Sequence, residues 1–259
     1  MSAMRISRRQ AVVGLAAAPF VRVPHIDALR VAPATFVLVH GAWHGGWCWT
    51  RVSPLLRAAG HTVFTPTLTG LGERSHLLNR DIGLDTHITD IVQVLEYEDL
   101  GNVVLVGHSY GGMVITGVAD KASGRISQLV YLDAMLPEPG TATTDYSQRK
   151  LAPITEDSWH DAAGMPQEYG VTDERDVAWM KKRLTDMPRR CLTQSLQLAG
   201  ETSRQIRGAY ILCSTRPFAA EAAGRAKRRG YRYRELLTAG HDAMITQPRE
   251  LTKILNELA

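Results

Sequence analysis

The sequence predicts an α/β domain built on a parallel sheet, and three observations carry that prediction. Strand runs read as apolar recur near residues 35–39, 62–66, 103–107, 127–133, 208–213 and 231–237, with helical patterns between most of them. Alternation of strand and helix favours parallel strands covered on both faces. The run Val103–Val106 drives straight into Gly107-His108-Ser109-Tyr110-Gly111 and leaves as a helical pattern. Finally, 259 residues with 44% hydrophobic content suffice for one large core.

The first 34 residues read as a leader outside that core. They hold Arg5, Arg8, Arg9, Arg22 and Arg30 against Asp27, so the net charge of +4 resides there and the remainder is balanced. A balanced body implies no basic face for nucleic acid, and the cluster from Arg225 to Arg234 reads as a solvated helix and strand edge. Ser7-Arg8-Arg9 precedes the apolar stretch Ala11 to Val21, which is too short to span a bilayer, and small residues follow at Ala32-Pro33-Ala34. This segment resembles a twin-arginine export signal, although Ala11 and Val12 stand where Phe and Leu are common and Pro19 interrupts the apolar run. The expectation is an exported chain with no membrane anchor once the leader is removed. A start codon assigned too far upstream would look similar and leave the protein cytoplasmic. Cys48, Cys191 and Cys213 are too few for a disulfide framework and sit in apolar contexts that suit buried thiols.

The first strand run, Thr35–Val39, ends in the glycine-rich loop His40-Gly41-Ala42-Trp43-His44-Gly45-Gly46-Trp47. Such a loop can present a backbone N–H to a tetrahedral oxyanion, with the residue after a nucleophile as second donor. Ala42 and Tyr110 are the candidate donors. A phosphate-binding loop is the competing reading, but no Gly-Lys-Ser/Thr follows, and Gly70-Leu71-Gly72 lacks the third glycine of a dinucleotide fingerprint. The Gly-x-Ser-x-Gly segment reads as a nucleophile elbow. A serine at a sharp strand-to-helix turn exposes its hydroxyl, and the helix N-terminus aims N–H groups at developing negative charge.

Between Pro137 and about Ile206 no strand is evident, Pro and Gly breaks recur, and Val177, Met180 and Leu184 fall at helical spacing. The domain reading is therefore a core of residues 35–136 and 206–259 with a helical cap over 137–205, inserted after the strand that ends at Asp133. Trp43, His44, Trp159 and Trp179 are candidates for a substrate pocket, as are Met165 and Met187, though any of them can equally serve the cap's own packing.

A serine hydroxyl needs a positioned base. Ala239-Gly240-His241-Asp242 follows the last strand run and precedes the closing helix Arg249–Leu258, placing His241 at the carboxyl end of the sheet. His40 and His44 belong to the glycine loop; His61, His76, His87 and His160 look like surface or packing residues. No histidine pair of zinc-site spacing lies on a predicted helix, so no metal is expected.

The loop His-Gly-Ala-Trp-His-Gly-Gly-Trp-Cys-Trp, the elbow, Tyr131-Leu132-Asp133-Ala134 and the late Gly-His together resemble the α/β-hydrolase superfamily over residues 35–258. They are most similar to the branch of plant methylesterases, hydroxynitrile lyases and small bacterial esterases. The resemblance implies a six-stranded parallel sheet flanked by helices with a helical cap, cofactor-free ester hydrolysis, Ser109 as nucleophile and His241 as base. In this branch the acid usually follows the strand corresponding to Tyr210–Cys213, but Ser214-Thr215-Arg216-Pro217 stands there. Some superfamily members take the acid from the end of the preceding strand, which makes Asp133 the preferred candidate, with Glu221 and Asp242 as alternatives. A permanent cation aimed at His241 would oppose an imidazolium, so the Arg216 side chain is expected to point away. The leading expectation is a serine hydrolase acting on an ester, lactone or thioester of a small molecule. A hydroxynitrile-lyase-like activity is the first competitor, disfavoured because Asp242 stands where those lyases carry Lys. A non-catalytic ligand-binding protein on the same fold is the second.

Overall fold

The computed structural model describes residues 32–146, 158–200, 205–214 and 216–259. Most of the expected leader, and parts of the expected cap, therefore lie outside the described residues.

The sheet order follows from where apolar runs are long enough to be buried on both faces. Strands β1 (Thr35–Val39), β2 (Thr62–Phe64), β3 (Val103–His108) and β4 (Ile126–Leu132) are followed, after the cap, by two further core strands. The cap contributes β5 (His160–Asp161) and β6 (Met187–Pro188), and the sheet resumes with β7 (Arg207–Leu212) and β8 (Arg232–Glu235). The main sheet is parallel throughout, in the order β2-β1-β3-β4-β7-β8. Its six strands match the six apolar runs, with boundaries shifted by at most two residues.

Period-two alternation sends successive side chains to opposite faces. Val37, Val39, Leu105, Leu129, Tyr131 and Tyr210 enter one core cluster. Phe36, Leu38, Val104, Val106, Leu132 and Ile211 enter the other. Helices α2 (Leu84–Tyr97) and α3 (Gly111–Lys121) cover the first face; α1 (Ser53–Ala58) covers the second. In α2, buried Leu84, Ile88, Ile91 and Leu95 recur every three or four residues, forming one apolar stripe. After α4 (Glu174–Lys181) and α5 (Arg189–Thr193) of the cap come α6 (Pro217–Arg228), α7 (Ala243–Thr246) and α8 (Pro248–Leu258). Leu251, Leu255 and Leu258 seat α8 on the same face as α1, each buried leucine contributing about 1.5–3 kcal/mol.

The cap differs from its sequence expectation in one respect. β5 and β6 form an antiparallel pair, His160 opposite Pro188 and Asp161 opposite Met187. Strands of two residues are too short to leave an alternating pattern. Ala34, assigned to the leader from sequence, is bonded to the body: its N–H donates to His61 Nδ1 and its carbonyl accepts from the Thr62 amide. Among the described residues no helix is long and apolar enough to cross a membrane.

Candidate active site

In an open parallel sheet, ligands bind where the strand order reverses, beyond the carboxyl ends of the strands. Here that point lies between β1 and β3, which pair in register with Val39 opposite Gly107. The glycine loop leaves β1 and the elbow leaves β3, so both emerge at this crevice.

Ser109 adopts φ +55°, a left-handed conformation rare for a side-chain-bearing residue. The strain is held from several sides. Its N–H donates to Leu132 O at 3.2 Å, and its carbonyl accepts from the Gly112 and Met135 amides. The flanking glycines are needed for close approach: a Cβ on Gly107 would lie 2.6 Å from Gly111 O, and one on Gly111 would lie 2.9 Å from both Val39 O and His40 O.

Asp133 ends β4, also at positive φ, +44°, and its N–H donates to Ile211 O of β7. Its buried carboxylate accepts four hydrogen bonds. Oδ1 takes the Cys213 and Ser214 amides at 2.8 and 3.0 Å; Oδ2 takes the Ser214 hydroxyl and His241 Nδ1, the latter at 2.6 Å. Burial alone would raise the Asp133 pKa. The bond and charge of His241, with the donors from Ser214 and Cys213, outweigh burial and hold the carboxyl below its usual range. Ser214 has no part in the sequence expectation; its signal was its place directly after the strand beside β4.

His241 follows Gly240 on the loop after β8. Its ring lies between those of Phe218, edge-on at 5.7 Å, and His108 at 4.5 Å, and its carbonyl accepts from His108 Nε2. With Nδ1 facing a carboxylate, the proton resides on Nδ1 and Nε2 is left as an acceptor. Neither His241 Nε2 nor Ser109 Oγ has a hydrogen-bond partner among the described residues; both residues line one cavity of about 730 Å³. Ala42 and Tyr110 line it too, and neither of their amides meets an acceptor among the described residues.

Three further histidines surround this centre, two of them neutral and one charged. His40 Nε2 accepts from the Leu68 amide while Nδ1 donates to Gly41 O, so the ring is neutral, and burial pushes its pKa down to about 3. His108 is likewise neutral, lowered to about 3 by burial and by neighbouring His241. His44 is different. Nδ1 faces Ala42 O at 2.7 Å and Nε2 faces Asp242 Oδ2 at 3.0 Å, so both nitrogens must donate. Burial opposes that charge, but the Asp242 carboxylate overrides it and raises the His44 pKa; reciprocally, the His44 charge keeps the buried Asp242 ionised. The pair clamps the glycine loop to the residue after His241.

This arrangement corrects several expectations. Of the pocket candidates, Trp43 lines the cavity and donates from Nε1 to Asp161 O, joining the glycine loop to the cap. His44 does not line it, because it is committed to Asp242. Trp179 packs edge-on against Trp47 between Arg51 and Arg183, and Trp159 packs against His160; neither borders the cavity. Met165 lies on the cavity wall, while Met187 is core. Asp242 serves His44 rather than His241 Nδ1, and Glu221 is exposed on α6. Arg216 does not point away: its guanidinium lies over the Tyr169 ring, 5.8 Å from the centroid, and lines the cavity.

The profile of the Alpha/beta hydrolase family matches residues 36–254. A carbendazim hydrolyzing esterase from Nocardioides sp. (strain SG-4G) is 40% identical over 243 residues, spanning 87% of this chain and 99% of that protein. Polyneuridine aldehyde esterase of Rauvolfia serpentina is 26% identical, spanning 86% of this chain and 95% of that one. Among solved structures, a methylesterase from Arabidopsis superposes with a TM-score of 0.72 at 26% identity, covering 87% of this chain and 98% of its own. The chain belongs to the Alpha/beta hydrolase family and is an esterase.

Proposed function

We propose that this esterase cleaves a carboxylic ester, lactone or thioester of a small, largely apolar molecule through an acyl-enzyme on Ser109. The observation that carries the reading is the 2.6 Å bond between His241 Nδ1 and Asp133, beside a cavity that Ser109 shares. His241 Nε2 takes the hydroxyl proton as Ser109 Oγ attacks the ester carbonyl, and Asp133 stabilises the imidazolium that forms. The carbonyl oxygen becomes an oxyanion, for which the unpartnered Ala42 and Tyr110 amides are the donors. Nε2 then returns the proton to the departing alkoxide. Water enters, His241 activates it in the same way, and the carboxylic acid leaves.

Asp242 supports hydrolysis over cyanohydrin cleavage, since at the position directly after the base it offers a carboxylate already paired with His44. Intact acid, base and nucleophile likewise favour an enzyme over a ligand-binding protein. Steady-state hydrolysis of a p-nitrophenyl ester tests the proposal. Ser109→Ala and His241→Ala should each reduce turnover by several orders of magnitude with unchanged circular dichroism; undiminished turnover in either variant would refute it.

A further inference from the structure

Among the described residues lining the catalytic cavity, Arg216 is the one permanent cation. Much of the wall is apolar, including Trp43, Met135, Leu192 and Phe218, and Glu168 lies toward the exposed rim with Oε1 bonded to the Met165 amide. Arg216 is half-buried, and among the described residues no carboxylate lies within ion-pair distance of its guanidinium and no oxygen accepts from it. The helix that begins beside it, α6, has no acid in its first turn to neutralise the charge. Several other arginines have an oxygen partner: Arg51 pairs with Asp176 and Arg229 with Glu138, while Arg183, which also lies over an aromatic ring, donates to Trp179 O. Arg216 instead rests on the Tyr169 ring at the cavity wall, with no oxygen partner for its guanidinium among the described residues.

Its position relative to the reacting atoms is constrained. Tyr169 carries the Arg216 guanidinium 5.8 Å from its ring centroid and the His241 ring 6.3 Å from the same centroid. Phe218, two residues after Arg216, meets the His241 ring edge-on at 5.7 Å. The cation therefore stands about one side chain away from the base. Left unneutralised there, it works against the imidazolium formed in each chemical step.

We infer that Arg216 is an anion subsite of the catalytic cavity, and that the preferred substrate is a small ester bearing a free carboxylate a few methylenes from the scissile carbonyl. The inference rests on the ester-hydrolysis reading of the same site. A carboxylate matches the guanidinium fork with two parallel charge-assisted hydrogen bonds, and in a half-desolvated setting these are stronger than in water. Binding would also cancel the field that opposes His241, so the anionic group should improve turnover as well as affinity.

The test compares the monomethyl esters of succinate, glutarate and adipate with the corresponding monoamide methyl esters, which replace the carboxylate by an uncharged group of the same shape. For the best chain length, the ratio of kcat/KM for acid over amide should fall at least about tenfold in Arg216→Gln, with KM for the acid rising, and partly recover in Arg216→Lys. Labelling of Ser109 by a fluorophosphonate, run on each variant, reports whether the site is assembled. A ratio that stays within about twofold of wild type, in variants that still label and still hydrolyse the amide ester, overturns the Arg216 inference alone. Absence of both labelling and hydrolysis in wild type would overturn the esterase reading and the subsite with it.

Discussion

Asp133 accepts four hydrogen bonds with its two oxygens, and the chemistry at His241 depends on that saturation. Asp133→Asn keeps the shape but presents an amide to Nδ1, favouring the wrong imidazole tautomer; in the protease template this change costs about 10⁴ in turnover. A loss of that order is expected here, read by kcat with the thermal midpoint nearly unchanged, whereas Glu221→Gln should be silent because Glu221 is exposed on α6. The His44–Asp242 pair makes a different prediction. Removing one partner of a buried ion pair typically destabilises by about 3–5 kcal/mol, so Asp242→Asn should lower the denaturant midpoint strongly. The pH dependence has a definite sign. His44, whose pKa is raised above 6.5, contributes fully below that value and loses its contribution as pH rises through the folded pKa. Asp242, lowered from 3.8, contributes fully above that value and loses it as pH falls through the folded pKa. The stability gap between wild type and Asp242→Asn should therefore be widest near pH 4–6.5 and narrow on either side, measured by denaturation across pH. That Ser109 and His241 would come together at the carboxyl edge of the sheet was legible in the sequence, because each sits in a local motif that follows a strand. The role of His44 was not, because its partner lies 198 residues away and only the fold brings them together.

At the scale of elements, the elbow is a strand and a helix packed too closely for side chains at two positions. Gly111→Ala would place a methyl 2.9 Å from the carbonyls of Val39 and His40. Backbone cannot yield as a flexible side chain can, so β1 and α3 must separate. The expected result is a loss of about 1–3 kcal/mol in unfolding free energy together with displacement of the glycine loop and a fall in kcat, read by chemical denaturation and ester turnover on the same preparation. This element was readable because its glycines, its buried strand and its helix are contiguous. The cap was readable only in part. Val177 and Met180 of α4 do pack as their helical spacing suggests, but the β5–β6 pair is two residues deep and carries no period. Which cap residues reach the cavity depends on tertiary placement: Met165 does and Trp179 does not, although both are apolar residues of the same segment. Arg216 escaped the sequence argument for a related reason. Charge alone disfavours a cation beside an imidazolium, and only the fold supplies the Tyr169 face on which the guanidinium rests.

Across the whole molecule, the central strands β1, β3 and β4 were legible because strands buried on both faces are written in near-continuous apolar runs, and the strand order puts its reversal where the glycine loop and elbow emerge. The body from Val31 to Ala259 forms one compact unit by its contacts, so a chain beginning at Val31 should retain the thermal midpoint of the full sequence to within about 2 °C, and a larger loss would make the leader part of the fold. The central claim is that ester cleavage passes through a covalent intermediate on Ser109, held ready by the His241–Asp133 pair. Rapid quenching during turnover of p-nitrophenyl acetate, followed by intact-protein and peptide mass spectrometry, tests it most directly. The account predicts a single acetyl adduct on the peptide containing Ser109, absent from Ser109→Ala and formed with a burst of p-nitrophenolate. An adduct on another residue, or full turnover by Ser109→Ala, would contradict it.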